Sequence, residues 1–276
     1  MNKELRWLIK EKYPNLLNSL NHPNFPNIPS FPSNLKKDLN RLKKGEPLDY
    51  VIGFKDFLGC KIDLSLKPLI PRPETEFWVE ILIRRLENIK IRKLNILDLC
   101  CGSGCIGIAI LKHAPKTHVI FADISKKALN QTRLNLNLNS IPTINYKLLT
   151  TNLFKNIPNK TFHLITCNPP YVNPKGPFNK SILYEPKGAL FAPQQGLKYI
   201  FKILRTYKKY LSPKGQLWLE FGDNQKDKIK NILEKLGIDN ASFYNDQFNK
   251  PRYLLVVDRP GLEPGTYRLR AGCSAN

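Results

Sequence analysis

From residue 94 to residue 258, short apolar runs alternate with stretches of helical periodicity, and few architectures accommodate that rhythm. The runs are Leu94 to Leu99, His118 to Asp123, Ile144 to Leu149, Phe162 to Cys167, Gln216 to Phe221, Ala241 to Tyr244 and Tyr253 to Asp258. Helices are expected from about Gly104 to Lys112 and over Ser125 to Leu138. The alternation predicts an α/β fold: a mostly parallel sheet wrapped by helices, with ligands at the carboxyl ends of the strands. The last two runs lie closer together and predict an antiparallel edge.

Upstream the pattern changes. Residues 1–48 read as a small helical unit: a helix over Lys3 to Asn18, a connector over His22 to Pro32 that Pro23, Pro26, Pro29 and Pro32 keep from being helical, and a second helix over Asn34 to Lys44. Residues 49–70 alternate in two runs, Tyr50 to Phe54 and Lys61 to Leu66 around Gly59, and predict a β-hairpin linker. The rigid run Ile70-Pro71-Arg72-Pro73-Glu74-Thr75-Glu76 then opens a helix, with Thr75 or Glu74 expected to start it. The main domain is expected over 71–259 and a disordered, Gly-, Pro- and Arg-rich tail over 260–276.

A chain of 276 residues with 42% hydrophobic content supplies a core for one such domain. No apolar run approaches the roughly 20 residues needed to cross a bilayer, and the start, Met1 to Arg6, is too acidic and interrupted for a signal peptide, so a cytoplasmic location is expected. The six cysteines, Cys60, Cys100, Cys101, Cys105, Cys167 and Cys273, contain no Cys-x-x-Cys pair and read as reduced, mostly buried thiols rather than a metal site. The formal charge of +22 invites a nucleic-acid partner. Its lysines, however, are spread along the chain beside abundant Asn and Ile, as in a compositional bias, so nucleic acid stays a second choice.

Chemistry concentrates in two turns. In Asp98-Leu99-Cys100-Cys101-Gly102-Ser103-Gly104, the glycines let the backbone approach a ligand and the next helix offers free N–H groups, as a nucleotide-like cofactor needs. Gly102, Gly104 and Gly107 also fit G-x-G-x-x-G, so a dinucleotide-binding dehydrogenase is the rival reading, ranked second because the match sits late in the turn. Asp123 ends the next strand where a carboxylate can accept both hydroxyls of a ribose, or else cap the following helix. Asn152, with Leu153 beside it, follows the third strand and either reads an adenine edge or simply makes a turn. The second turn is Asn168-Pro169-Pro170-Tyr171. An asparagine oxygen and a carbonyl freed by proline can grip the N–H groups of a planar nitrogen and aim it at an electrophilic methyl group, whereas the bland reading is a strand-ending turn. Glu185 and Glu220 read by default as solvated or capping carboxylates, and Trp218 and Phe221 as core.

These residues resemble the HemK/PrmC protein-(glutamine-N5) methyltransferases over about Gly45 to Asp258. The resemblance is carried by Gly45 to Tyr50, Leu69 to Glu76, Asp98 to Gly104, Asp123, Asn168 to Tyr171 and Glu185-Pro186. Asn-Pro-Pro-Tyr alone is shared with adenine methyltransferases; the Pro-Arg-Pro-Glu-Thr-Glu run is far more specific. The resemblance implies a Rossmann-like class I S-adenosylmethionine-dependent methyltransferase fold. It implies S-adenosylmethionine on Asp98, Cys100, Cys101, Gly102, Ser103, Gly104, Asp123, Asn152, Leu153 and Asn168. It also implies a glutamine amide held by Asn168, Pro169 and Pro170 and walled by Tyr171, the glutamine being that of the Gly-Gly-Gln loop of peptide chain release factors. Asn168, Pro169 and Tyr171 are the implied catalytic set, and no metal is implied. Cys100 stands where the family usually has a glycine, Asn152 where it usually has an acidic residue, and the region before Gly45 is shorter than the usual helical domain. Methylation of adenine in nucleic acid, and a translation-associated binding protein that has lost catalysis, are the alternatives.

Overall fold

A computed structural model describes residues 3–16, 33–87, 93–158 and 162–258. The helical unit contains α1 (Lys3–Lys12), α2 (Ser33–Lys43) and α3 (Leu48–Ile52), and a two-stranded hairpin, β1 (Phe54–Phe57) and β2 (Cys60–Asp63), follows. The main domain runs α4 (Pro73–Glu87), β3 (Asn95–Leu99), α5 (Cys105–His113), β4 (His118–Asp123), α6 (Lys126–Leu138), β5 (Tyr146–Thr150) and β6 (Phe162–Cys167). It continues with α7 (Lys187–Leu190), α8 (Lys198–Thr206), β7 (Leu211–Glu220), α9 (Lys226–Lys235), β8 (Ala241–Asn245) and β9 (Pro251–Val257).

Seven strands form one sheet in the order β5-β4-β3-β6-β7-β9-β8. Those from β5 to β7 are parallel, and β9 runs antiparallel to both β7 and β8, which is the edge the spacing predicts. Both faces are covered because alternate residues point opposite ways. Ile96, Trp218 and Leu255 join one buried cluster, while Leu97, Leu217 and Leu254 join the other. Trp218 and Phe221 are fully buried, as a core role requires. The order reverses at β3, which has β4 on one side and β6 on the other. The carboxyl ends of β3 and β6 therefore flank a crevice with no crossover helix above it, where open α/β sheets bind ligands.

Several local expectations need correction. Tyr50 to Ile52 is helical, ended by Gly53 at φ +101, so the hairpin's first strand begins at Phe54. Its turn is the pair Leu58 (φ +48) and Gly59 (φ +75), the two left-handed residues that a tight two-residue hairpin demands. The first helix stops at Lys12, because Pro14 has no N–H to continue it; Pro14 to Leu16 are again helical, and residues 17–18 and the connector lie outside the described residues. Residues Thr143–Asn145 make a single 3-10 turn, which delays β5 to Tyr146. Helix α4 begins at Pro73, whose missing N–H costs nothing in the first turn, and Thr75 sits inside the helix rather than capping it. The expected tail, with Cys273, also lies outside the described residues.

Helix α6 welds the hairpin to the main domain. Gln131 Oε1 accepts the Leu66 N–H and Asn135 Oδ1 the Asp63 N–H, each at 2.8 Å. The Asn135 amide also donates to the Ser103 carbonyl at 2.9 Å, which ties the hairpin to the glycine turn.

Candidate active site

The turn after β3 is shaped by left-handed backbone at three positions: Cys100 (φ +59), Gly102 (φ +57) and Gly104 (φ +81). At Gly104 the constraint is double, since a Cβ there would lie 2.6 Å from Thr132 Cγ2. Cys100 holds a conformation that suits glycine, at a cost of order 1–2 kcal/mol for an L-residue. The Thr132 hydroxyl donates to the Gly102 carbonyl at 3.1 Å and pins the turn from behind. Gly107 opens no nucleotide loop; a Cβ there would strike Phe121 at 2.3 Å, so its role is close packing of α5 on the sheet.

Asp98 does not face the crevice. It is fully buried beneath the turn, where it accepts the Gly107 N–H and the Thr166 hydroxyl, both at 3.1 Å. It thus satisfies a free N–H in the first turn of α5. Burial, only partly offset by these donors, pushes its pKa up to about 7. Asp123 is the carboxylate on the wall. Its Oδ2 accepts the Gly102 N–H at 3.0 Å and its Oδ1 the Ser125 N–H at 2.8 Å, and burial raises its pKa against those bonds. The capping alternative falls to Ser125, whose hydroxyl accepts from Ala128 at the start of α6.

A cavity of about 640 Å³ opens above β3 and β6, within the range of roughly 300–1,000 Å³ that holds drug-sized ligands. Its wall includes Cys100 to Ser103, Asp123, Asn152, Leu153, Asn168 and Pro170, and on the opposite side Arg72, Thr75, Tyr184 and Glu185. Gly104, Pro169 and Tyr171 are not on the wall. The resemblance implies a wall at Tyr171, but its hydroxyl turns to Glu220 Oε1 at 2.9 Å. Pro169 is buried, and its carbonyl takes no hydrogen bond from any described residue. Leu153 is left-handed (φ +52), its carbonyl held by the Thr151 hydroxyl at 3.1 Å, which presents Asn152 and Leu153 at the cavity edge.

Two carboxylates that read by default as solvated or capping in the sequence are buried structural centres at and behind the cavity wall. Glu185 accepts the Ile70 N–H at 2.9 Å and pairs with Arg72, closing the cavity between two segments far apart in sequence. Glu220, fully buried at the end of β7, accepts Trp78 Nε1 at 2.7 Å and the Thr75 hydroxyl at 2.8 Å on Oε2, besides Tyr171 on Oε1. Burial raises its pKa, while these donors and the charge of Arg252 pull the other way. Asn168 joins this group by donating from Nδ2 to Thr75 Oγ1 at 3.2 Å. Only the Pro-Glu-Thr-Glu run hinted at Thr75; nothing local linked it to Glu220.

Among the described residues no three His, Cys, Asp or Glu side chains converge as a metal site, and Cys60, Cys100, Cys101, Cys105 and Cys167 are free thiols. No described helix is long and apolar enough to cross a membrane.

The sheet order, the glycine turn and the strand-end carboxylate define a class I S-adenosylmethionine-dependent methyltransferase, and the residues fit the cofactor: uncrowded backbone at Gly102, where a Cβ would meet only the Cys100 carbonyl at 4.0 Å, and an acceptor carboxylate at Asp123 for hydroxyl groups. Residues 76–185 match the family described as the methyltransferase small domain. A release factor glutamine methyltransferase of Thermodesulfovibrio yellowstonii is 40% identical, covering 83% of this chain and 82% of that protein. One of Flavobacterium psychrophilum is 35% identical over 79% of this chain and 78% of its own. The N-terminal domain of human METTL16, solved in complex with SAH, shares the fold with a TM-score of 0.54 at 17% identity, covering 94% of this chain and 95% of that one. The chain belongs to the release factor glutamine methyltransferase family.

Proposed function

We infer that this protein transfers the methyl group of S-adenosylmethionine to the side-chain amide nitrogen of the glutamine in the Gly-Gly-Gln loop of a peptide chain release factor. Family membership supports the reaction, and the orientation of Asn168 carries the assignment of roles. Its NH2 group is spent on Thr75, so Oδ1 is left to accept, and the neighbouring Pro169 carbonyl has no donor among the described residues. Two acceptors on consecutive residues suit the two N–H groups of a primary amide.

Bound cofactor supplies a methyl group already activated by a sulfonium. Cys100 to Ser103, Asp123, Asn152 and Leu153 hold it in this reading, with Gly104 shaping the turn and Asp98 supporting it from below. Asn168, Pro169 and Pro170 orient the amide, and Tyr171 acts through Glu220. Alignment of the nitrogen accounts for most of the rate, since fixing two reactants in attack geometry is worth roughly 7 kcal/mol or more. The amide nitrogen becomes acidic only as its new bond forms, so its proton leaves late to solvent and no general base is needed. Residues 1–48 and the hairpin 49–70 help dock the release factor beside the catalytic domain 71–259, and such a reaction belongs in the cytoplasm.

The test is incubation with a release factor and labelled S-adenosylmethionine, beside an adenine-containing nucleic acid. Label should appear on the release factor and vanish when the glutamine of its Gly-Gly-Gln tripeptide becomes Ala. Transfer to nucleic acid alone, or a folded protein that binds no cofactor, would overturn the reading.

A further inference from the structure

The hydrogen bonds behind Asn168 have a direction, and that direction is fixed behind the cavity wall. An indole nitrogen can only donate, so the Glu220 oxygen that meets Trp78 Nε1 at 2.7 Å must be an acceptor. The Thr75 hydroxyl meets the same oxygen at 2.8 Å and therefore points its single proton at it. Thr75 Oγ1 is left with lone pairs toward Asn168, so the Asn168 atom 3.2 Å away must be the NH2 and not the oxygen. An asparagine amide is nearly symmetric in shape, and chemistry alone decides which way it faces.

We propose that Trp78, Glu220 and Thr75 form a polarity relay that locks the Asn168 amide with its oxygen toward the substrate, which makes Thr75 and Glu220 positioning residues for amide methylation. The inference rests on the functional reading above for its substrate but not for its geometry. Without the relay the amide can turn over and present NH2 to NH2, donor against donor, in place of an acceptor. Protonation of Glu220 leaves the relay intact as long as the proton sits on Oε1, where the Tyr171 hydroxyl, 2.9 Å away, can accept it. The relay thus depends on an oxygen acceptor at Oε2 rather than on negative charge.

Four variants separate this from a merely structural role. Thr75→Ser keeps the hydroxyl and should keep kcat within about twofold. Thr75→Val keeps the shape and should lower kcat roughly tenfold, the worth of one side-chain hydrogen bond, with cofactor affinity unchanged. Glu220→Gln, with its oxygen held toward Trp78, should behave like wild type, because Nε2 can donate to Tyr171 instead. In an Asn168→Ala background, Thr75→Val should add no further loss, since its partner is already gone. A full additional loss there, or a collapse of kcat in Glu220→Gln with folding intact, would overturn the relay. The Asn168 side-chain NH2 resonances report without any substrate: a well-resolved, exchange-protected pair in wild type and Thr75→Ser, lost in Thr75→Val. Should the wild type fail to methylate a release factor, the functional reading falls while this readout still decides the relay, and unchanged resonances in Thr75→Val would refute it.

Discussion

The two ends of the cavity are built from different materials. At the proposed cofactor end the wall rests on backbone, bent through left-handed turns at Cys100, Gly102 and Gly104 and tightened by Thr132 and Asp123. At the acceptor end it is side chain, a chain of oriented hydrogen bonds running from Trp78 through Glu220 and Thr75 to Asn168. The first arrangement demands left-handed backbone and at Gly104 excludes a Cβ, and the second specifies which atoms donate and which accept. Damage to one end should therefore change cofactor affinity, and damage to the other should change turnover.

The sharpest way to break that division is Asn168→Ala. Turnover should fall about a hundredfold, as when one pre-organised hydrogen-bonding group is removed from an active site, while calorimetry finds cofactor affinity nearly unchanged. Loss of cofactor binding would merge the two ends into one. Gly104→Ala should do the reverse: cofactor affinity falls, and urea titration finds stability lower by about 2 kcal/mol, from the left-handed φ and the 2.6 Å contact with Thr132. Thr132→Ser removes the methyl group that the new Cβ would meet and should restore part of that loss.

A third effect is a pH dependence seated under the glycine turn. Asp98 keeps its proton in the folded protein up to about pH 7 but loses it near pH 4 when unfolded. Between those values the folded state binds more protons, so this group's contribution makes stability fall as pH rises from about 4 to 7. Denaturant titrations at pH 5 and pH 8 should show a smaller decline in Asp98→Asn than in wild type. An identical decline would remove Asp98 as its source.

The same contrast explains how much was legible in the sequence. The strand rhythm, the antiparallel edge, the glycine turn, Asp123 and Asn168 could all be read, because each is a local pattern of consecutive residues. Gly104 could be marked as a turn residue, yet its collision with Thr132 required the fold. Asp98 sits in the same heptapeptide as the glycines, and only the burial of its carboxylate separates a supporting role from a contact. Glu220 and Thr75 lie 145 residues apart and meet only because the carboxyl end of β7 faces the first turn of α4, so Glu220 reads like any isolated glutamate. Tyr50 to Ile52 alternates like a strand but folds as a helical turn, because five residues are too few for periodicity to distinguish the two.

Recognition of an NH2 group at the acceptor end underlies the whole assignment of roles. Calorimetry of the protein saturated with demethylated cofactor, titrated with a Gly-Gly-Gln peptide and with its isosteric Gly-Gly-Glu counterpart, addresses it directly. The glutamine peptide should bind, and the glutamate peptide, which sets oxygen against the oxygens of Asn168 and Pro169, should bind at least tenfold more weakly. Equal affinity for the two peptides would contradict the claim.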